Sequence, residues 1–372
     1  MKILDNIEYI SSLDKQNMAG SIASLSKQIK QTWSEVSKIN IPWRQNKDID
    51  NIVFCGMGGS NLPADLLRNV FYEDIKIPFI MINDYYLPGF VNKRSLVITV
   101  SYSGNTEETI SCLKEAIKRK AKIFIISVGG KLQETATEHC LKYYGYFFKP
   151  LYNPCNQPRI GSGYLLTAEL WILKNICGFK FINDNEINKI IKFIDNTNRN
   201  FCVEQKFKNN SAKIIAEQLK GNIPVIISSE FLSGNGHIIT NQINENAKNF
   251  AIYFNIPELN HHLLESLIFP DINHKSLKFL FIGSEFYTEK NKNRFEITKD
   301  VLKKNNIKFI EYNCKKKYNN SKQLNYLFNS LEILCLGSYV SFYLGILNNL
   351  DPSPIPWVDY FKEKLKKVKS DI

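Results

Sequence analysis

A chain of 372 residues with 44% hydrophobic and 12% aromatic content is too long for one compact core and too apolar to be disordered, so two domains are expected. Its formal charge of +12 invites nucleic acid or an anionic small molecule. The lysines are scattered, however, as in Lys114, Lys118, Lys120 and Lys122, with dense runs only at 315–317 and in the tail at Lys362, Lys364, Lys366, Lys367 and Lys369; solvated faces explain this better than a nucleic-acid partner.

Roughly the first 45 residues read as helical, with Ile10, Leu13, Met18, Ile22, Leu25 and Ile29 near the helical period. Four short apolar runs follow at Asn51–Cys55, 79–83, 96–101 and Lys122–Ser127, with a fifth at 145–148, each bounded by Gly, Pro, Asn or Ser. Helical periodicity fills 63–70 and 107–119. Buried-looking strands alternating with helices predict a parallel sheet covered on both faces. A proline-bearing connector, KPLYNPCNQPRIGSG over 149–163, interrupts the pattern. Helices are expected next at 164–176 and 186–196, strands at 224–229, 250–254, 277–283 and 307–312, and closing helices at 324–347 and 356–369. IVFCGMGGSNLPADLL and VIISSEFLSGNGHIITNQI both run strand, glycine-bearing turn, helix, a weak internal repeat. The expected fold is α/β: two doubly wound parallel-sheet domains plus peripheral helices, divided as 1–160 and 161–372.

Eight cysteines show no C-x-x-C, and five histidines show no H-x₃₋₅-H pair, so no metal site is expected. Reduced thiols suit a cytoplasmic protein. The start, MKILDNIEYISSLDKQ, has early charges and no apolar h-region, unlike a signal peptide. No run reaches about 18 consecutive apolar residues, so no membrane span is expected.

The run 51–55 leads into Gly56-Met57-Gly58-Gly59-Ser60 and a helix. Glycines let the backbone turn sharply and approach a ligand, and the helix start offers free N–H groups and a positive dipole end. A dinucleotide fingerprint fits poorly, because position 61 is Asn where a third glycine belongs. The run 96–101 leads into Ser101-Tyr102-Ser103-Gly104-Asn105-Thr106-Glu107-Glu108, where hydroxyls and N–H groups converge at a strand end. Ordinary capping by Asn105 and Glu108 is the plain alternative. Hydroxyls and amides without a Walker lysine suit a phosphate monoester better than a triphosphate.

GMGGS followed by SYSGNTEET resembles the phosphosugar signature of sugar isomerase (SIS) domains. Four further segments, in order, resemble those of the bifunctional phosphoglucose/phosphomannose isomerase family: QPR at Arg159, NENAK at Glu245, PELNH at His261, and DPSP leading to Lys362. Singly, each has a plainer reading: a linker arginine, a glutamate beside a lysine on a solvated face, a structural histidine, one lysine in a lysine-rich tail. Together they carry the resemblance across nearly the whole chain.

That resemblance implies flavodoxin-like SIS domains and a metal-independent, cofactor-free isomerase. Glucose 6-phosphate, with mannose 6-phosphate beside it, would exchange with fructose 6-phosphate through a cis-enediol. Gly58, Gly59, Ser60, Ser101, Ser103 and Thr106 would hold the phosphate. Glu245 would shuttle the C1/C2 proton, His261 and Lys362 would open the ring, and Arg159 would stabilise the intermediate. The family also implies a homodimer in which His261 comes from the other subunit. This chain has His262 where the family commonly has Asn, and extra lysine-rich material near 313–323. A non-catalytic sugar-phosphate regulator would need no carboxylate at 245 and usually carries a basic recognition helix, absent from the first 45 residues. An aminotransferring enzyme would add an amide-hydrolysing domain with an N-terminal cysteine, and this chain begins MKILDN.

Overall fold

The computed structural model describes residues 2–43, 47–139, 144–314 and 317–370. Cys140, Lys315 and Lys316 lie outside these residues, as do the side chains of Lys366 and Lys369. In chain order the elements are α1 (Ile7–Leu13), α2 (Met18–Ala23), α3 (Leu25–Val36), β1 (Asn51–Cys55), α4 (Leu62–Val70), β2 (Phe79–Ile82), β3 (Ser95–Ser101), α5 (Glu107–Lys118), β4 (Lys122–Ser127), α6 (Gly130–Glu138), β5 (Tyr144–Phe147), α7 (Ser162–Cys177) and α8 (Asp184–Phe201). There follow α9 (Ser211–Leu219), β6 (Ile223–Ser229), α10 (Ser233–Asn246), β7 (Ile252–Ile256), α11 (Asn273–Ser276), β8 (Leu277–Ser284), α12 (Glu289–Lys304), β9 (Lys308–Cys314), α13 (Lys322–Leu347) and α14 (Pro356–Ser370).

Two parallel sheets result, ordered β2-β1-β3-β4-β5 and β7-β6-β8-β9. Strand alternation decides which face each side chain serves. Ile52 and Phe54 of β1, Leu96, Ile98 and Val100 of β3, and Phe124 and Ile126 of β4 enter the large central core. Their neighbours Val53, Cys55, Val97, Ile123 and Ile125 join a second cluster closed by Cys112, Leu113 and Ala116 of α5 and Leu132 and Ala136 of α6. Both faces are therefore dry, which a parallel sheet requires.

The central core runs without a break into the second sheet, through Ile226, Phe279, Phe281 and the length of α13. α13 is also long and apolar enough to cross a bilayer, but 94% of its most apolar window is buried inside the protein. It is the core helix against which α8, α9 and α10 pack. α10 lies directly on α4: a Cβ at Gly234 would sit 2.6 Å from the Leu66 Cα. Each of these helices follows the first strand, in chain order, of its sheet, so the repeat noted in the sequence is also a packing pair.

The helical reading of the N-terminus holds as three helices and stops at Val36. Among the described residues four helices were not expected: α6, α9, the short α11 and α12. α12 is strongly charged, and its Lys299 is nearly buried and bonded to Glu296 and Glu311. The strand expected at 250–254 is shifted to Ile252–Ile256, leaving Phe250 exposed.

The proline-bearing connector is not a loose linker. Buried Gln28 of α3 donates to the carbonyls of Tyr152 (2.9 Å) and Ile160 (3.3 Å) and accepts from the Gly163 N–H. The Ser21 hydroxyl accepts from the Cys155 N–H, and Asn153 donates to the Tyr102 hydroxyl at 2.8 Å. The N-terminal helices thus clamp 152–163 against the loop after β3, satisfying backbone groups that burial would otherwise leave unpaired.

Candidate active site

At the carboxyl end of the first sheet, the turns after β1 and β3 meet. Gly58 adopts a left-handed φ of +50°, which glycine takes without a Cβ penalty. The Ser60 oxygen accepts from the Tyr102 N–H at 3.0 Å. The Ser101 and Thr106 hydroxyls lie 2.8 Å apart, and Ser101 also accepts from the Gly104 N–H at 3.1 Å. Ser103 is exposed, its hydroxyl accepting from the Asn105 N–H. The plain alternative, capping of α5 by Asn105, is not what forms. Thr106 is the N-cap of α5 with no side-chain cap bond, because its hydroxyl is turned to Ser101, and Asn105 instead accepts from the Lys131 N–H. The start of α5 therefore presents N–H groups that no side chain caps, an arrangement suited to an anion.

Gly59 joins this cradle to the rest of the site. A Cβ there would lie 3.1 Å from the Arg159 Cα, so the glycine permits close approach of the connector. Arg159 is buried, against the plainer alternative of an exposed linker arginine, and all of its nitrogens are engaged. Nε donates to the Asn246 side chain, Nη1 to Gln157 Oε1 at 2.7 Å, and Nη2 to the carbonyls of Pro352 and Ser353 at 3.1 and 2.8 Å. Nη1 also lies 3.3 Å from Glu245 Oε2, with the Arg159 side chain 3% exposed and that of Glu245 30% exposed.

Glu245 and Asn246 end α10, and their place is fixed by α13. Asn246 donates to Ser341 at 2.9 Å, Gln242 bridges Ser338 and the Arg159 carbonyl, and Gly345 lets α13 approach the Asn246 carbonyl closely. Burial pushes the Glu245 carboxyl above the usual glutamate range, against the opposing charges of Arg159, Lys362 and Lys248. Burial likewise pulls Arg159 down, opposed first by Glu245.

Arg159, Glu245 and the Gly59 turn are thus brought together, and Lys362 on exposed α14 is near enough for its charge to act on Glu245. His261 is not brought in. It is exposed at the end of the short turn Glu258–His261 after β7, and among the described residues no bond joins it to Arg159 or Glu245. His262 is engaged elsewhere, with Nε2 at 2.9 Å from Glu258 and its ring against Phe254. Sequence reasoning missed Asn246, Gln157, Gln242 and Lys248. Asn246 and Lys248 stand in the quoted NENAK and Gln157 in QPR, but nothing in those strings shows which side chains turn inward.

Comparison with known proteins identifies the family. Residues 208–365 match the bacterial phospho-glucose isomerase C-terminal SIS domain. A bifunctional phosphoglucose/phosphomannose isomerase of Caldicellulosiruptor bescii is 32% identical over 95% of this chain and all of its own length. Its counterpart in Aquifex aeolicus is 30% identical over 90% of this chain and 94% of its own. In fold, the crystal structure of a glucosamine-6-phosphate deaminase from Thermotoga maritima superposes with a TM-score of 0.63 over 94% of this chain and 96% of that one, at 13% identity. Matched end to end at such identity, the chain belongs to the bifunctional phosphoglucose/phosphomannose isomerase family.

Proposed function

We propose that the chain interconverts glucose 6-phosphate, and mannose 6-phosphate as well, with fructose 6-phosphate, without a metal or cofactor. The observation that carries this reading is the pair of buried Arg159 and half-buried Glu245 at 3.3 Å, set against the Gly59 turn. A phosphate held by Ser60, Ser101, Ser103, Thr106 and the N–H groups of Gly58 and Gly59 would leave the sugar's C1 and C2 toward Glu245. A carboxylate whose pKa is raised by burial is a better proton acceptor than an ordinary glutamate, and its exchange between C1 and C2 passes through a cis-enediol. Arg159, held by fixed backbone carbonyls, answers the charge that develops on the intermediate. Lys362 and a histidine open and close the ring. A non-catalytic sensor would have no use for such a carboxylate. The division at residue 160 puts the phosphate cradle and Arg159 in the first unit and Glu245 and Lys362 in the second.

The missing histidine is the partner's His261, in a homodimer with shared sites. Beyond His261 the chain exposes Ile268, Phe269 (72% exposed) and Ile272, and α14 exposes Trp357, Tyr360 and Phe361 beside Lys362. Apolar side chains flanking both segments suit burial against a second copy. The seven described cysteines are free, in keeping with a cytoplasmic setting.

Glu245→Gln is expected to abolish isomerisation in a coupled assay while fructose 6-phosphate still binds; undiminished turnover sinks the assignment. Mixing Glu245→Gln with His261→Ala subunits should restore about a quarter of the wild-type rate, because a mixed dimer keeps one intact site. No recovery after subunit exchange argues against a shared site.

A further inference from the structure

Lys248 lies just past α10, three residues from Glu245, and neither the ring chemistry nor the phosphate cradle uses it. Its backbone is left-handed, with φ +49°, at a helix end where glycine is the usual occupant. A lysine there costs free energy unless its side chain returns something. Although the residue as a whole is exposed, its Nζ turns back to donate to the carbonyls of Asp351 and Pro352, both at 2.9 Å, and reaches the Asn246 carbonyl at 3.4 Å. The Pro352 carbonyl is the one that also accepts from Arg159, and Ser353 supplies Arg159 with the next.

We propose that Lys248 is a positioning residue of the isomerase site: its ammonium pins the turn 351–353, whose carbonyls aim Arg159 at Glu245 and from which α14 carries Lys362 over the site. The inference rests on the isomerase reading and deepens it. An ammonium suits this place, where the carbonyls at the end of α10 and those of the turn converge.

The charged groups that face Lys248 are Arg159 of the connector, Asp351 of the turn and Glu245 of α10. Behind them, Asp14 faces Asp351, Lys362 of α14 faces Glu245, and Asp359 of α14 faces Arg159. Burial and the Arg159 charge pull the ammonium down to about 8, against Asp351 and Glu245. It is charged below that pH and neutral above it, so the clamp weakens as pH rises through about 8.

The test compares Lys248→Gly, Lys248→Arg and wild type in hexose 6-phosphate isomerisation across pH 6 to about 10. Glycine accepts the left-handed backbone and so removes the ammonium without straining the helix end. The expected result for Lys248→Gly is a kcat lowered about tenfold or more at pH 7 with KM nearly unchanged, since the phosphate cradle is untouched. The wild-type alkaline decline should centre near pH 8, vanish in Lys248→Gly, and move to higher pH in Lys248→Arg, whose guanidinium stays charged. A Lys248→Gly enzyme with wild-type kcat and an unaltered alkaline decline overturns the positioning role, even where Glu245→Gln is inactive and the isomerase reading stands. A wild-type protein without isomerase activity overturns both.

Discussion

The carboxyl edges of the two sheets are topological counterparts, yet they answer the same local charge in opposite ways. β6 lies between β7 and β8 just as β1 lies between β2 and β3, and in both sheets the turn after that strand faces the start of the helix after its neighbour. At the first edge those places hold glycines and the hydroxyls of Ser60, Ser101 and Thr106, and α5 begins with no side-chain cap. At the second edge the turn carries Glu230, which sits at a left-handed φ of +47°. Its Oε1 accepts from the Thr288 N–H at 2.9 Å, the Thr288 hydroxyl at 2.7 Å and the Asn291 amide at 2.7 Å, at the start of α12. The cavity beside it, about 580 Å³, is lined by Glu73 and Asp74 as well, with Lys322 already paired to Glu73. One edge leaves its positive helix end for an incoming anion; the other supplies the anion from its own chain. Topology offers both places, and the turn residues leave only the first with an uncapped helix start, the place proposed for the phosphate.

Three substitutions break or sharpen this contrast. The largest effect is expected from Ser101→Ala at the first edge. Losing a hydroxyl that serves a charged ligand should raise the KM for hexose 6-phosphate by about ten- to a hundredfold, with stability lowered by only about 1 kcal/mol. A KM within twofold of wild type would remove Ser101 from the cradle. At the second edge, Glu230→Ala should leave kcat and KM unchanged while lowering the unfolding free energy by about 1–2 kcal/mol, because three donors lose their acceptor. A marked kinetic defect in that variant would mean that the two edges are not functionally separate. The smallest effect is expected from Glu230→Gly, which loses the same bonds but relieves the left-handed backbone. It should be about 1 kcal/mol more stable than Glu230→Ala in the same denaturation series, and equal stabilities would show that the strain is not there to relieve.

The strands were legible because parallel strands buried on both faces carry an unbroken apolar signal: Asn51–Cys55 and Lys122–Ser127 have the bounds expected of them. α12 was not legible, because Lys299 is paired with Glu296 and Glu311 rather than solvated, and pairing leaves no mark on periodicity. The turns proposed to hold the phosphate stand out in local composition, since glycine and hydroxyl residues there gather at a strand end. Lys248 could not. The string NENAK shows a lysine near a glutamate, but its return to the Asp351 and Pro352 carbonyls depends on a backbone φ and on a segment more than a hundred positions away.

Sequence alone determined the alternation of strands and helices, the doubling of that plan, and the residue types able to cradle a phosphate and move a proton, because these are set by local period and local chemistry. Tertiary structure alone decided that Arg159 is buried rather than an exposed linker residue, that it faces Glu245, and that Lys362 is near enough for its charge to act on Glu245. The reason is packing between distant segments: α10 lies on α4 at Gly234, α13 holds the end of α10 through Ser341 and Gly345, and α3 grips the connector through Gln28. A site whose members are far apart in the chain takes its charge balance from burial, and burial belongs to the folded whole.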